Sequence, residues 1–460
     1  MEKIIDEFNN RHYIEKELSR GGQGVVYVTK DKDVVIKEIL QSNEPIKDEK
    51  GIKKSHILIK NVIYKPIPFD IEIAKPLALL KDRAGYVMKM IDMQPLEKLM
   101  PQKLKEDEKV EICDFLEEFA KKSKEGAELI SYYNQTGSLK KRVFILANIA
   151  KTLYRLHLRG LVYFDLSFNN VFFKDKDIYF IDIDNLKYNS SIKPKDSLFS
   201  PDFEVPEVAN GVDTNSFYSD IYAFGILAFY LLTLHHPFEG KKVFESGDSW
   251  DSDEWGEVEN RWDYPWIYDN QDFSNEAIPL LPKELTISDE LFSLFRQLFE
   301  EGKKDKYKRP SLNMWIKALN LSAVKLIECP KCKMSYFDDR FDSCPYCESQ
   351  KPSRIIIKSY RYEDKIKTDE RYFVSELKDI IEIPYFITNL FSLKKKSILK
   401  IAFKKTIEFI FDKDKEEIYF NSNSKSYSAI KKIGIDKVKR GIFIIIKDKT
   451  TRYLDIKVEE

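Results

Sequence analysis

The chain has 460 residues, of which 43% are hydrophobic and 33% charged, and its formal net charge is zero. This length gives room for about two to four domains, and the apolar content suffices for real cores, which excludes a largely disordered protein. No apolar run reaches the roughly 18 residues that a membrane span needs, and the N-terminus lacks the apolar segment of a secretory signal. We therefore expect a cytoplasmic protein without a membrane partner.

The N-terminal third predicts strands first and helices later. Strand-like runs fill residues 11–40 and are broken by the sequence GGQG. A mixed basic and apolar pattern predicts a helix at 46–63, followed by the strand-like runs EIAKPLALL and AGYVMKMI. Residues 103–158 show helical spacing that stops at Gly160.

A helical half continues to about residue 322. Residues 221–234, IYAFGILAFYLLTL, predict a buried helix rather than a membrane span. An acidic insert follows at 241–283, and we favour its packing on the large domain through aromatic side chains, with a partner-docking surface as the alternative. The tryptophans of this insert are Trp250, Trp255, Trp262 and Trp266.

The last part of the chain, residues 353–460, reads as successive strands. It carries 25 Lys and Arg against 17 Asp and Glu, so it is basic. Because the lysines are mixed with acids, we favour a solvated surface over a nucleic-acid interface.

The glycine-rich run near the N-terminus is suited to phosphate. Gly21 and Gly24 have the spacing of the last two glycines of G-x-G-x-x-G, with Ser19 at the first position. Glycines let the backbone approach phosphate oxygens, although glycine-rich hairpins are also common without a ligand. Lys37 ends the apolar run VVIK, and a buried ammonium needs an anionic partner such as phosphate.

Three oxygen-bearing side chains flank an apolar hairpin at residues 160–185. Asp165, Asn170 and Asp182 stand where the runs VFF and IYFI begin and end. They could simply form turns. They are also suited to Mg²⁺, which takes few protein ligands together with substrate phosphates. Asp165 could then accept a hydroxyl proton while Asn170 and Asp182 hold the metal, as phosphoryl transfer requires.

Taken in order, these motifs resemble those of protein kinases over residues 11–322. LSRGGQGVVYV resembles the Gly-rich loop, VVIK the phosphate-pairing lysine motif, YFDLSFNN the catalytic loop and IDID the D-F-G region. VPE, YSDIYAFG and YKRPS resemble the later A-P-E, S-D-x-x-x-F-G and R-P motifs.

The resemblance implies a role for individual residues. Asp165 would be the catalytic base and Lys37 would pair with phosphates. Asn170 and Asp182 would hold Mg²⁺, Asp220 would be a buried anchor, and Arg309 would pair with Glu207. The ATP-binding residues would be Ser19, Gly21, Gly24, Val26, Val35, Lys37, Met88 as gatekeeper, Lys89, Ile91, Asn170 and Asp182.

The implied fold class is α+β, a two-lobed protein-kinase-like fold followed by a zinc ribbon and a β-rich C-terminal domain. The expected domains are 1–322 for the kinase (small lobe 11–92, large lobe 93–322), 323–352 for the ribbon and 353–460 for the C-terminal domain.

Several positions depart from the family pattern. Tyr163 and Phe164 replace His and Arg of H-R-D, and Ser167 replaces a common Lys. Asp184 replaces the glycine of D-F-G and is a turn residue or a second carboxylate near the metal. We predict that Glu49 is the glutamate that pairs with Lys37, with Glu44 as the second choice. The alternative for Glu49 is a solvated charge on a helix face.

Phe164 also bears on regulation. It cannot pair with a phosphate, so activity should not require phosphorylation of the activation segment, roughly 185–204. The serines there that we expect to be exposed are Ser190, Ser191, Ser197 and Ser200.

The resemblance implies a Ser/Thr protein kinase that uses Mg²⁺ and ATP on an unknown protein substrate. Two alternatives stay open. One is a nucleotide-binding pseudokinase scaffold, which the departures suggest. The other is a small-molecule kinase, which shares the Asp, Asn and Asp arrangement.

Four cysteines follow the kinase-like segment in the pattern C-x-x-C, eleven residues, C-x-x-C. Two such turns supply a tetrahedral S₄ site, which favours a structural Zn²⁺ over disulfides. Iron in a rubredoxin-like site and unmetallated thiols are the alternatives. The four ligands would be Cys329, Cys332, Cys344 and Cys347.

The ribbon resembles modules that dock proteins or nucleic acids. Together with PWIYD after HPF, it makes the chain similar to bacterial kinases encoded beside a von Willebrand factor A protein and a metal-dependent phosphatase. Those systems are linked to stress or phage defence, so such proteins are implied partners.

Overall fold

The chain forms two compact units. The first comprises Met1–Gln102, Ile145–Leu280 and Ser293–Ile316, and the second comprises Lys103–Phe144, Leu281–Phe292 and Lys317–Glu460. The predicted boundaries after residues 322 and 352 stay predictions. The computed structural model describes residues 2–21, 24–67, 71, 73–100, 110–175, 177–183, 186–192, 200–242, 263–378, 380–388, 399–403, 407–411, 417–420, 424–426, 430–433, 441–447 and 451–459. In those stretches, no helix combines the length and the apolar character that a membrane crossing requires.

A seven-stranded antiparallel sheet opens the first unit. Its strands follow the order β1-β2-β3-β4-β7-β6, with β5 attached to β4. Apolar side chains of β1, β4, β6 and β7 form a core on one face. The strands are β1 (Lys3–Ile5), β2 (Arg11–Gly21), β3 (Gly24–Thr29), β4 (Val34–Gln41), β5 (Glu44–Pro45), β6 (Pro76–Leu79) and β7 (Gly85–Lys89).

Helix α1 (Glu49–Ile63) confirms the helix predicted at 46–63. Asp48 caps its start, because its carboxylate accepts from the backbone N–H of Gly51 at 2.7 Å. Ile59 of this helix packs with Leu79 and Tyr86 of the sheet.

The helical part confirms the predicted buried helix at 221–234. Helix α6 (Phe217–Thr233) starts at a Ser216 capping box and is buried from Ser219 to Thr233. The other α-helices of the described residues are α2 (Glu117–Ala120), α3 (Lys124–Gln135), α4 (Ser138–His157), α5 (Pro206–Ala209), α7 (Lys283–Thr286), α8 (Asp289–Arg296), α9 (Gly302–Lys304), α10 (Leu312–Ala323) and α11 (Tyr385–Thr388).

One tryptophan of the predicted insert packs as expected. Trp266 is fully buried, and its ring meets Phe229 and Phe299 at centroid distances of 6.0 and 5.5 Å. Trp250, Trp255 and Trp262 lie outside the described residues.

The apolar hairpin predicted from VFF and IYFI is present. Strand β10 (Val171–Lys174) pairs with β11 (Asp177–Phe180) and with β8 (Gln94–Pro95). A second small ladder joins β9 (Leu161–Val162) to β12 (Lys187–Tyr188). These short ladders fix the chain segments that carry the predicted catalytic residues.

The second unit contains a small hairpin and two larger sheets. Strands β13 (Leu326–Glu328) and β14 (Ser335–Phe337) form the hairpin. A six-stranded sheet has the order β16-β15-β24-β23-β20-β21, and a four-stranded sheet has the order β17-β18-β19-β22. A mainly isoleucine core supports them, so the predicted β-rich region is seen in the described segments. The strands are β15 (Arg354–Glu363), β16 (Ile366–Glu376), β17 (Ile380–Ile383), β18 (Leu399–Phe403), β19 (Ile407–Phe411), β20 (Glu417–Phe420), β21 (Ser424–Ser426), β22 (Ile430–Ile433), β23 (Ile442–Lys447) and β24 (Thr451–Glu459).

Candidate active site

One face of the N-terminal sheet gathers four of the predicted ATP-binding residues. Val26 pairs with Lys37, and Val35 pairs with Met88. Directly opposed residues of antiparallel strands project to the same face, and so do alternate residues of one strand. Val26, Val35, Lys37 and Met88 therefore share a face. Lys89 ends β7, and Ile91 lies two residues beyond it.

Gly24, where β3 begins, lies beside the Lys37 side chain. A Cβ on Gly24 would come within 3.1 Å of the Lys37 Cε and 3.0 Å of a backbone oxygen, so a side chain there would crowd the lysine. A Cβ on Gly21 would meet nothing within 4 Å. Ser19 is exposed on β2, and residues 22 and 23 lie outside the described part.

Lys37 is buried, with 7% of its surface exposed, and its ammonium is paired with the carboxylate of Asp182. The pair joins the sheet to the segment after β11. A lysine placed in this way has the anionic partner that its burial demands.

The prediction that Glu49 pairs with Lys37 is wrong. Glu49 lies in the exposed first turn of α1, where its carboxylate accepts from Lys53 Nζ at 2.6 Å. That i, i+4 pair follows the helix surface, so the glutamate stays on the solvent side. Glu44 is exposed on β5.

Asp220 anchors the loop that carries Asp165. Its carboxylate accepts from the backbone N–H groups of Tyr163 at 2.8 Å and Phe164 at 3.1 Å. It also lies 2.9 Å from His157 Nε2. Phe164 adopts a left-handed φ of 79°, which is strained for a residue with a side chain. The buried aspartate compensates for that strain and thereby fixes the loop.

Asn170 is oriented by the same loop. Its Nδ2 donates to the backbone oxygen of Asp165 at 2.9 Å, which leaves Oδ1 as the acceptor end of the amide. An amide oxygen and the Asp182 carboxylate are the hard donors that Mg²⁺ prefers, so these residues fit that ion. Asp184 lies outside the described residues.

Tyr163 ties the two metal-ligand candidates together, which the sequence reasoning missed. Its buried hydroxyl lies 2.5 Å from the carbonyl oxygen of Ile181 and 3.1 Å from that of Asn170. Burial, followed by the nearby carboxylates, raises the pKa of Tyr163 well above its ordinary value. The hydroxyl therefore keeps its proton and remains a donor. It links the backbone of Ile181, which precedes Asp182, to the backbone of Asn170.

Tyr163→Phe should leave the ring packing intact and remove this donor. We expect a loss of about 1–3 kcal/mol of stability, because the Ile181 carbonyl loses the hydroxyl that it accepts from, together with weaker Mg²⁺-dependent ATP binding. Thermal unfolding and calorimetry measure the two effects. Tyr188→Phe, at an exposed tyrosine, is the control. Unchanged ATP binding in Tyr163→Phe would show that the hydroxyl positions neither ligand.

Ser200 was expected to be exposed, but the structure places it half-buried with its hydroxyl donating to the Asp165 carboxylate. Ser190 and Ser191 are exposed as expected, and Ser197 lies outside the described residues. Burial raises the pKa of Asp165, and the hydrogen bond from Ser200 partly opposes that rise. The Ser200 hydroxyl therefore already contacts Asp165, the predicted base.

Ser200→Ala should move the acid limb of the pH–rate profile to higher pH. Asp165 accepts a proton only when ionised, so activity is lost as pH falls through its pKa. Removing the hydrogen bond that lowers this pKa raises it, and the limb follows. Initial rates between pH 4 and 8 test this, with Ser190→Ala as the control; a limb that moves to lower pH would contradict the assignment.

The predicted pair between Arg309 and Glu207 is confirmed. Arg309 donates through Nη1 at 2.8 Å and Nη2 at 2.7 Å to the two carboxylate oxygens. Its Nε also donates to the Gly302 carbonyl at 2.8 Å. This bidentate buried pair fixes α5 at the end of the activation segment.

The four cysteines converge as predicted. Their sulfur atoms lie within 4.8 Å of one another. Cys329 and Cys347 are 3.5 Å apart, and Cys332 and Cys344 are 3.6 Å apart. A tetrahedral zinc with Zn–S bonds of about 2.3 Å needs sulfurs about 3.8 Å apart. The cluster therefore fits Zn²⁺, which would stabilise the fold there.

Comparison with known families supports the interpretation of the N-terminal part as a protein kinase domain. The family model of the protein kinase domain matches residues 13–319. The mixed sheets and helices of this segment agree with the expected α+β fold. A search of curated proteins found no match.

Proposed function

The chain belongs to the protein kinase family, and from that premise we propose that it transfers the γ-phosphate of Mg²⁺-ATP to serine or threonine hydroxyls of proteins. One observation carries the proposal. The hydroxyl of Ser200 donates to Asp165, which is the contact that an acceptor hydroxyl needs with a general base.

The proposed roles follow from the positions of the side chains. Lys37, held beside Asp182 on the sheet face, would neutralise the α- and β-phosphates. Asn170 and Asp182 would bind Mg²⁺, which supplies charge neutralisation on the phosphates when bound. Asp165 would accept the proton of the attacking hydroxyl.

The remaining predicted residues would surround the nucleotide. Val26, Val35 and Met88 would pack against the adenine from the sheet face that Lys37 shares. The backbone of Lys89 and Ile91 would contact its edge. Ser19, Gly21 and Gly24 would cover the phosphates.

Transfer of labelled phosphate from ATP tests the activity. The full chain should label itself or a generic protein on serine or threonine, and Asp165→Ala should not. ATP binding without transfer would indicate a pseudokinase scaffold. A requirement for a small hydroxylated acceptor would indicate a small-molecule kinase.

The cellular role rests on the resemblance alone. We propose a bacterial cytoplasmic kinase in stress or phage defence signalling, acting with a von Willebrand factor A protein or a phosphatase. Phosphoproteomics of cells with wild type and with Asp165→Ala would identify its substrates.

A further inference from the structure

Three arginines surround one carboxylate where β15, β16 and β24 lie side by side. Asp369 accepts from Arg371 Nε at 3.0 Å and Nη2 at 2.6 Å. Arg452 Nη2 also donates to it, and Arg361 Nε lies 3.6 Å from the same carboxylate. Because the bidentate pair with Arg371 alone balances the charge of Asp369, Arg361 and Arg452 are surplus cations.

This arginine cluster (Arg361, Arg371 and Arg452 around Asp369) also contains donors without acceptors. Arg361 Nε, Arg452 Nε and Thr368 Oγ1 are buried and have no hydrogen-bond partner among the described residues. Arg361 and Thr368 are directly opposed across β15 and β16, so their side chains leave the same face. A buried donor left unpaired costs about 1–3 kcal/mol, and such donors call for a ligand, an ion or a water.

The cluster is held in place before any ligand arrives. Arg452 is 1% exposed, and its Nη1 donates to Ser359 Oγ at 2.8 Å and to the Asp369 carbonyl at 3.1 Å. The Arg361 side chain keeps 26% of its surface exposed. Arg452 is therefore fixed in the interior, while Arg361 remains accessible from solvent.

We propose that Arg361, Arg452 and Thr368 form a binding site for a phosphate monoester. Two surplus guanidinium groups match the charge of a dianion, and a phosphate offers three acceptor oxygens to the three unpaired donors, which are Arg361 Nε, Arg452 Nε and Thr368 Oγ1. The ester could be part of a phosphorylated protein or of a small molecule, and the two sources separate in the experiment. The site does not depend on the proposed kinase activity.

Calorimetry on the full chain tests the site with inorganic phosphate, a phosphoserine peptide and the same peptide without phosphate. Phosphate and the phosphopeptide should bind saturably, and the plain peptide should not. Arg361→Ala should weaken binding about tenfold or more, the loss expected for a charge-assisted hydrogen bond. This variant should fold, because Arg361 Nε has no hydrogen-bond partner among the described residues.

Lys367→Ala is the matched control. It removes a cation one position from Thr368, but that ammonium lies 4.2 Å from the ring of Tyr360 instead of in the cluster, so binding should persist. Binding of phosphate without the phosphopeptide assigns the site to small phosphate esters. Absence of binding by either probe, or equal binding by wild type and Arg361→Ala, overturns the proposal.

Discussion

Asp165→Asn should cut turnover by about 10² or more while leaving Mg²⁺-ATP binding nearly unchanged. The size follows from typical general-base contributions. The carboxylate of Asp165 carries the proposed proton transfer, and its backbone oxygen accepts from Asn170 Nδ2 at 2.9 Å. The substitution therefore removes the proposed base and keeps the backbone contact that orients Asn170, a proposed metal ligand.

Asp182→Asn should behave differently, because it removes the charge of a proposed metal ligand that is also the partner of Lys37. We expect both Mg²⁺-dependent ATP binding and turnover to fall. Calorimetry alongside a turnover assay measures the two effects. Asp177→Asn, at an exposed position on β11, is the matched control and should change neither. Near-normal turnover in both test variants would show that Asp165 and Asp182 only form turns and have no catalytic role.

The contrast between these variants also bears on the pseudokinase alternative. A scaffold that only binds nucleotide would respond to Asp182→Asn in the binding assay, and Asp165→Asn would have no turnover to lose. The two residues thus separate binding from chemistry within one loop system.

The sequence predicted the elements whose local pattern is strong. The hairpin β10–β11, helix α6 and the strands around Lys37 each combine continuous apolar runs with clear stops, so their positions followed from local patterns. The convergence of the four cysteines was equally predictable, because two C-x-x-C turns together supply the four ligands of a tetrahedral metal site.

The sequence did not predict features that depend on long-range packing. Strand β16 (Ile366–Glu376) escaped notice because it lies at the edge of its sheet and is rich in charged, mostly exposed residues. The contact of Ser200 with Asp165 spans 35 residues, and no local pattern encodes it. The prediction that Glu49 pairs with Lys37 failed because the helical pattern of α1 does not show which of its faces packs against the sheet.

Replacing Cys344 and Cys347 by serine should release the bound metal and unfold the cysteine module. Elemental analysis of the wild-type chain, purified under reducing conditions, should find about one zinc per chain. The cysteine module and the residues just before it, 326–347, contain only the short strands β13 and β14, too little to bury a core of their own. Metal binding in such modules supplies about 10–16 kcal/mol of folding free energy.

Limited proteolysis should therefore cut residues 329–347 in the double variant and spare them in the wild type. ATP binding should persist, because the predicted ATP-binding residues belong to the other compact unit. Cys113→Ser is the matched control, since Cys113 lies outside the four-cysteine group, and it should keep its zinc. Bound iron with visible absorbance would replace the zinc assignment with a rubredoxin-like site. A wild-type chain with no transition metal would overturn the metal site altogether.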